Sequence, residues 1–128
     1  MKKDITTKED INLLVHSFYD KVKADSMIGP LFTEIARVNW EKHLPVMSDF
    51  WENALFFTGT YQGNPMDLHK HLQKAMKLEQ VHFQQWNQLF MATVDEHFSG
   101  ENALLAKQRA LKISSILQAE ILGSKPLT

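Results

Sequence analysis

The sequence predicts an all-α protein. Apolar residues recur at three- and four-residue intervals along most of the chain, and no stretch alternates apolar and polar residues long enough to read as a strand. The glycines and prolines cluster at a few places that cut the chain into helix-length pieces. The 128 residues suit one domain, expected to span 1–128 with a core from about 8 to 122 and a frayed tail at 123–128.

A first helix is expected after Thr6 and Thr7, with Glu9 and Asp10 three positions on as capping-box partners. Its stripe is Ile11, Leu14, Val15, Phe18 and Val22, with Tyr19 at the edge. The run Asp25 to Pro30 breaks it, because Pro30 cannot continue a helix and Gly29 relaxes the backbone, so Phe32 is an aromatic delivered by a corner.

A second helix should start near Trp40 to His43, with Pro45 tolerated only in its first turn, and run through Phe57. One face would carry His43, Met47, Phe50 or Trp51, and Ala54. The two glycines and proline of TGTYQGNP mark a loop from Thr58 to Pro65. A short helix beginning at Met66 or Asp67 would then place His69 and Leu72 on one face and His71 on another.

A third long helix, roughly Glu79 to Phe98, is expected to bury Phe83, Trp86, Phe90, Val94 and Phe98 and to end at Ser99-Gly100. The last, about Glu101 to Leu122, would spread Leu104, Leu111, Ile113, Leu117 and Ile121 over a broad buried face, closed by Gly123.

Lys+Arg 14 against Asp+Glu 15 leaves a net charge of -1, which argues against nucleic acid or a membrane surface held by bulk electrostatics. With no cysteine, disulfides, thiolate metal sites and cysteine nucleophiles are excluded. Polar residues follow Met1 directly and no stretch approaches a bilayer span, so the expected location is cytoplasmic.

Histidine is the natural metal ligand in such a chain, and there are six. His16, His82 and His97 lie beside helical stripes without further ligands at useful spacing and read as packing or surface residues. His69 and His71, two apart on a helix, cannot both reach one metal, and no HExxH spacing exists. One neutral imidazole facing an apolar cavity rich in Phe, Trp and Met suits a haem iron. Tyr19, His43 and Trp86 add hydrogen-bond donors near apolar stripes, whose burial calls for an acceptor. By spacing alone, a haem pocket and a plain aromatic core bonded to backbone carbonyls both remain open.

Four segments in order, FYDKVKADSMIGPLF, WEKHLPVMSDFW, YQGNPMDLH and LEQVHFQQWNQLF, resemble the group III truncated haemoglobins over about residues 8 to 122. The resemblance implies a two-over-two globin fold around haem b. It makes His69 the proximal iron ligand, Tyr19 the distal hydroxyl donor, His43 the distal histidine and Trp86 an indole donor. Phe32 becomes the corner phenylalanine on the haem edge, with Met47, Phe50, Trp51, Met66 and Leu72 as further pocket wall; a shift of register would make His71 the ligand instead.

The function implied is binding of O2, NO, CO or a similar small ligand, in redox chemistry such as NO dioxygenation or a peroxidase-like reaction. No flavin or nucleotide motif is present, so turnover needs an external reductase. The alternatives are ligand storage or sensing without turnover, and a haem-free helical interaction protein.

Overall fold

The computed structural model describes residues 2–35, 39–57 and 79–121. Among the described residues the chain forms α1 (Lys8–Ala24), a π-helical turn (Leu31–Ile35), α2 (Trp40–Phe56), α3 (Gln80–His97) and α4 (Glu101–Ile121), and no strand. Helix α1 packs on both α2 and α3, α3 packs on α4, and α2 closes against α4. No helix among the described residues is long and apolar enough to cross a membrane.

The expected capping box starts α1. The Thr7 hydroxyl accepts from the Asp10 N–H at 3.1 Å, and the Asp10 carboxylate accepts from the Thr7 N–H at 3.2 Å, satisfying amides that the first turn leaves without helical partners. Ile11, Leu14, Val15, Phe18, Tyr19 and Val22 are all buried, so Tyr19 lies within the stripe rather than at its edge.

At the far end of α1 the Asp25 carboxylate accepts from the N–H groups of Met27 and Ile28, each at 2.9 Å, and folds the chain back. A Cβ at Gly29 would stand 2.8 Å from the carbonyl oxygens of both Val22 and Lys23, so only glycine lets the corner close on the end of the helix. The π-helical turn then carries Leu31 and Phe32 into the core.

Helix α2 differs from expectation at Pro45. The helix begins at Trp40, so the proline sits in its second turn. Its missing N–H deprives the Glu41 carbonyl of a helical partner, and because Glu41 is exposed, water can replace it. The helix ends on Phe57, which takes a left-handed conformation (φ 58°, ψ 40°) and donates its N–H to the Asn53 carbonyl at 2.9 Å.

At the start of α3, His82 Nδ1 accepts from the Glu79 N–H at 2.9 Å, giving this histidine a capping role that spacing did not show. Phe83, Phe90, Val94 and Phe98 are buried as expected, while Trp86 is half-buried.

The buried face of α4 is the main departure from the sequence reading. Leu104 and Leu111 are 55% and 50% exposed, and the buried residues are Ala103, Ala106, Ala110 and Ser114. These small residues recur at helical spacing and let α3 approach closely, which leaves the leucines on the outer side. Ile113 is half-buried against the core; the side chains of Leu117 and Ile121, and Gly123, lie outside what is described.

The N-terminal segment, unremarked in the sequence, ties the two ends of the fold together. Asp4 accepts from the N–H groups of Asn102 and Ala103 at 2.9 and 2.8 Å, acting as a remote cap for α4. Ile5 beside it is fully buried.

Candidate functional site

Three helices and the π-helical turn converge on a chain of aromatic rings. Tyr19 from α1 meets His43 from α2 edge to face, with centroids 5.1 Å apart, and also touches Trp40 at 5.4 Å and Phe32 at 6.3 Å. Its neighbour Phe18 contacts Trp86 of α3 edge to face at 5.3 Å. Trp86 stacks on Phe90 at 5.8 Å, Phe90 on Trp51 at 4.8 Å, and Phe50 meets the Trp51 edge at 5.3 Å. Such contacts hold rings in fixed orientations as well as burying them.

The geometry follows from helix periodicity. Phe18 and Tyr19 are adjacent on a stripe that runs between α2 and α3, so one ring serves each neighbouring helix. On α3, Phe83, Trp86, Phe90 and Val94 step along one face at three- and four-residue intervals. On α2, Met47 and Trp51 are buried and His43 and Phe50 are half-buried.

His43 Nε2 and Trp86 Nε1 are both buried with no hydrogen-bond partner among the described residues. Desolvation holds the His43 imidazole down at about 4, so it is neutral at physiological pH. Burial pushes the Tyr19 hydroxyl above its ordinary range, so it stays a phenol. The cluster therefore carries a neutral phenol, imidazole and indole, and suits a small, weakly polar partner rather than an ion.

Of the residues named from sequence, the structure brings together Tyr19, Phe32, His43, Met47, Phe50, Trp51 and Trp86. His69, its alternative His71, Met66 and Leu72 lie outside the described residues. No group of three or more His, Cys, Asp or Glu able to hold a metal ion occurs among the described residues.

Two contributors escaped the sequence reading. Trp40, three residues before His43, packs against Tyr19, Phe32 and His43, and Lys23 lies over its ring at 5.1 Å. Phe18 touches both Tyr19 and Trp86 and so joins the two halves of the pocket. The three-residue spacing of Trp40 and His43 was a signal for the former, whereas in sequence Phe18 is indistinguishable from any core phenylalanine.

The four helices of the described residues pack around this aromatic cluster as in a small globin, as comparison with known proteins shows. The chain is 30% identical over 121 residues to the group 3 truncated hemoglobin ctb of Campylobacter jejuni, covering 92% of this chain and 93% of that protein. It superposes on the crystal structure of a group III truncated hemoglobin from Campylobacter jejuni with a TM-score of 0.80 at 29% identity, covering 94% and 95% of the two chains. No family model matches the sequence. The chain belongs to the group 3 truncated haemoglobin family.

Proposed function

We propose that this protein binds haem b, with His69 as the proximal ligand, and takes up O2, NO, CO or a similar small molecule on the side lined by Tyr19, His43 and Trp86. The observation that carries the reading is the pair of buried nitrogens, His43 Nε2 and Trp86 Nε1, that lack a hydrogen-bond partner among the described residues. A desolvated polar group without a partner costs about 1–3 kcal/mol, so each of the two favours a small hydrogen-bonding ligand beside the helix that carries it. The pocket's fit to haem rests on the same atoms and on the apolar wall of Phe32, Met47, Phe50 and Trp51. The names of the two relatives point the same way.

Haem would supply the ligand site and the redox chemistry. The chain's own residues orient and retain the small ligand. The Tyr19 hydroxyl and Trp86 indole donate hydrogen bonds, and neutral His43 donates from or accepts at Nε2 according to its tautomer. Each neutral bond contributes about 0.5–1.5 kcal/mol, so two together slow ligand escape by roughly one to two orders of magnitude. Slow release suits a redox reaction better than transport, so we assign the protein to NO dioxygenation or a peroxidase-like reaction fed by an external reductase. The surrounding rings exclude bulk water from these donors, which strengthens their bonds.

The test is a set of absorption spectra of the haem-loaded protein in ferric, ferrous and ferrous carbonyl forms, for wild type and His69→Ala. A Soret band of histidine-ligated character in wild type, altered in the variant, is the expected result. Failure to take up one equivalent of haem would leave a helical interaction protein. Haem uptake with neither NO consumption nor peroxide turnover in the presence of a reductase would leave ligand storage or sensing.

A further inference from the structure

We propose that the hollow between the C-terminal half of α2 and the middle of α4 is a second binding site, for a small amphipathic carboxylate whose head pairs with Arg109 and Lys112. The hollow holds about 360 Å³, within the range of small-molecule sites. Phe50, Ala54, Phe57, Ile113 and Ile116 form its apolar wall. Phe57 is 76% exposed and Ile116 41% exposed, so the hollow leaves large apolar side chains in contact with water.

Charge then selects the ligand. Arg109 and Lys112 line the same hollow with Asn53, and no carboxylate among the described residues does. Neither cation forms an ion pair among the described residues, and Arg109 Nε is buried without a hydrogen-bond partner there. A guanidinium N–H removed from water and left unpaired is unfavourable, and a planar carboxylate matches its fork with two parallel bonds. The lysine beside it supplies a second positive charge on a flexible stem. A cationic head is repelled, and a neutral alcohol leaves both charges unsatisfied.

Helix periodicity explains why the elements coincide. Arg109, Lys112, Ile113 and Ile116 are spaced by three and four residues and share one face of α4. On α2, Phe50 and Ala54 do the same, and Phe57 joins them from the left-handed cap that ends the helix. Tyr19, His43 and Trp86 take no part in the hollow, and among the described residues Phe50 alone is common to it and the haem wall proposed above.

The experiment titrates the haem-loaded protein with sodium decanoate, with decan-1-ol and decyltrimethylammonium as neutral and cationic controls. Calorimetry reads affinity, the Arg109 Nε–H resonance reads location, and the Soret band reads displacement of haem. Decanoate is expected to bind one to one, about tenfold or more tighter than either control, because its bonds to the two cations are charge-assisted. The Arg109 resonance should shift, Lys112→Gln and Arg109→Gln should each weaken binding several-fold, and the Soret band should hold. Lys112 is exposed, so its variant tests the site even if Arg109→Gln fails to fold. Equal affinity for the three amphiphiles, an unmoved Arg109 resonance, unchanged affinity in Lys112→Gln, or loss of the Soret band on titration would each overturn the proposal.

Discussion

His43 shows how far a single side chain can be read once its surroundings are known. Desolvation lowers its value from 6.5 to about 4, so between those limits the unfolded chain binds more protons than the folded one. Stability therefore rises with pH through that window: it is fully present above pH 6.5 and lost as pH falls toward 4. His43→Leu should flatten this dependence, so that thermal melting at pH 6.5 and pH 4.5 differs less than in wild type. Asp10 acts in a separate, lower window. Burial pushes its carboxyl up, but the Lys3 ammonium and the Thr6 and Thr7 donors outweigh this and bring it to about 2. Its contribution is present above 3.8 and lost as pH falls through about 2. On the ligand side, Tyr19→Phe and Trp86→Phe should each speed O2 dissociation by a few-fold to about tenfold, since each removes one neutral hydrogen bond. Unchanged rates in stopped-flow replacement by CO would remove that residue from ligand retention.

At the level of elements, corners and caps decide where the site's side chains arrive. Gly29 sits against the last carbonyls of α1, and Gly29→Ala must push the corner outward. The expected cost is about 1–3 kcal/mol in urea unfolding, with altered near-ultraviolet dichroism because Phe32 and its neighbours Tyr19 and Trp40 move with the corner. Asp4 makes a cap from outside the helix it serves, bonding Asn102 and Ala103 of α4. Asp4→Ala should destabilise by roughly 0.5–2 kcal/mol while leaving the pocket's ligand kinetics unchanged, since α4 contributes none of the three donors. Gly100 is held at φ +142° against the Asp4 side chain, a conformation that other residues rarely adopt.

Across the whole molecule, core and pocket are one aromatic assembly. Phe90 is 1% exposed and contacts Phe18, Trp51 and Trp86, rings that belong to α1, α2 and α3. Phe90→Ala is expected to cost about 3–5 kcal/mol in denaturant unfolding. Removing a ring that touches Trp86 also loosens the indole, so ligand dissociation should quicken even though Phe90 reaches no ligand itself. Haem loading should raise the melting temperature of wild type and variant alike, by mass action on the folded state.

Helices α1 to α4 were legible in the sequence because their signals are local. Thr7 and Asp10 cap α1 three residues apart, Asp25 to Pro30 stop it, and stripes at three- and four-residue intervals mark the buried faces of α1 and α3. Tyr19, His43 and Trp86 were legible for the same reason, as donors among apolar residues at helical spacing. The family resemblance came from four ordered segments, which carry Tyr19, His43, His69 and Trp86. The remainder depends on residues far apart in sequence. Pattern favours the leucines of α4 over its alanines, but close packing on α3 makes Ala103, Ala106 and Ala110 the buried set. Pro45 lies a turn deeper in its helix than a local rule allows, because water can take the place of its missing N–H. The capping of α4 by Asp4, the joining of Tyr19 to Trp86 through Phe18, and the lack of partners for His43 Nε2 and Trp86 Nε1 among the described residues are properties of assembled surfaces. Periodicity fixes which face of a helix is apolar; which atoms meet across that face, and which are left unsatisfied, is settled only when the helices pack.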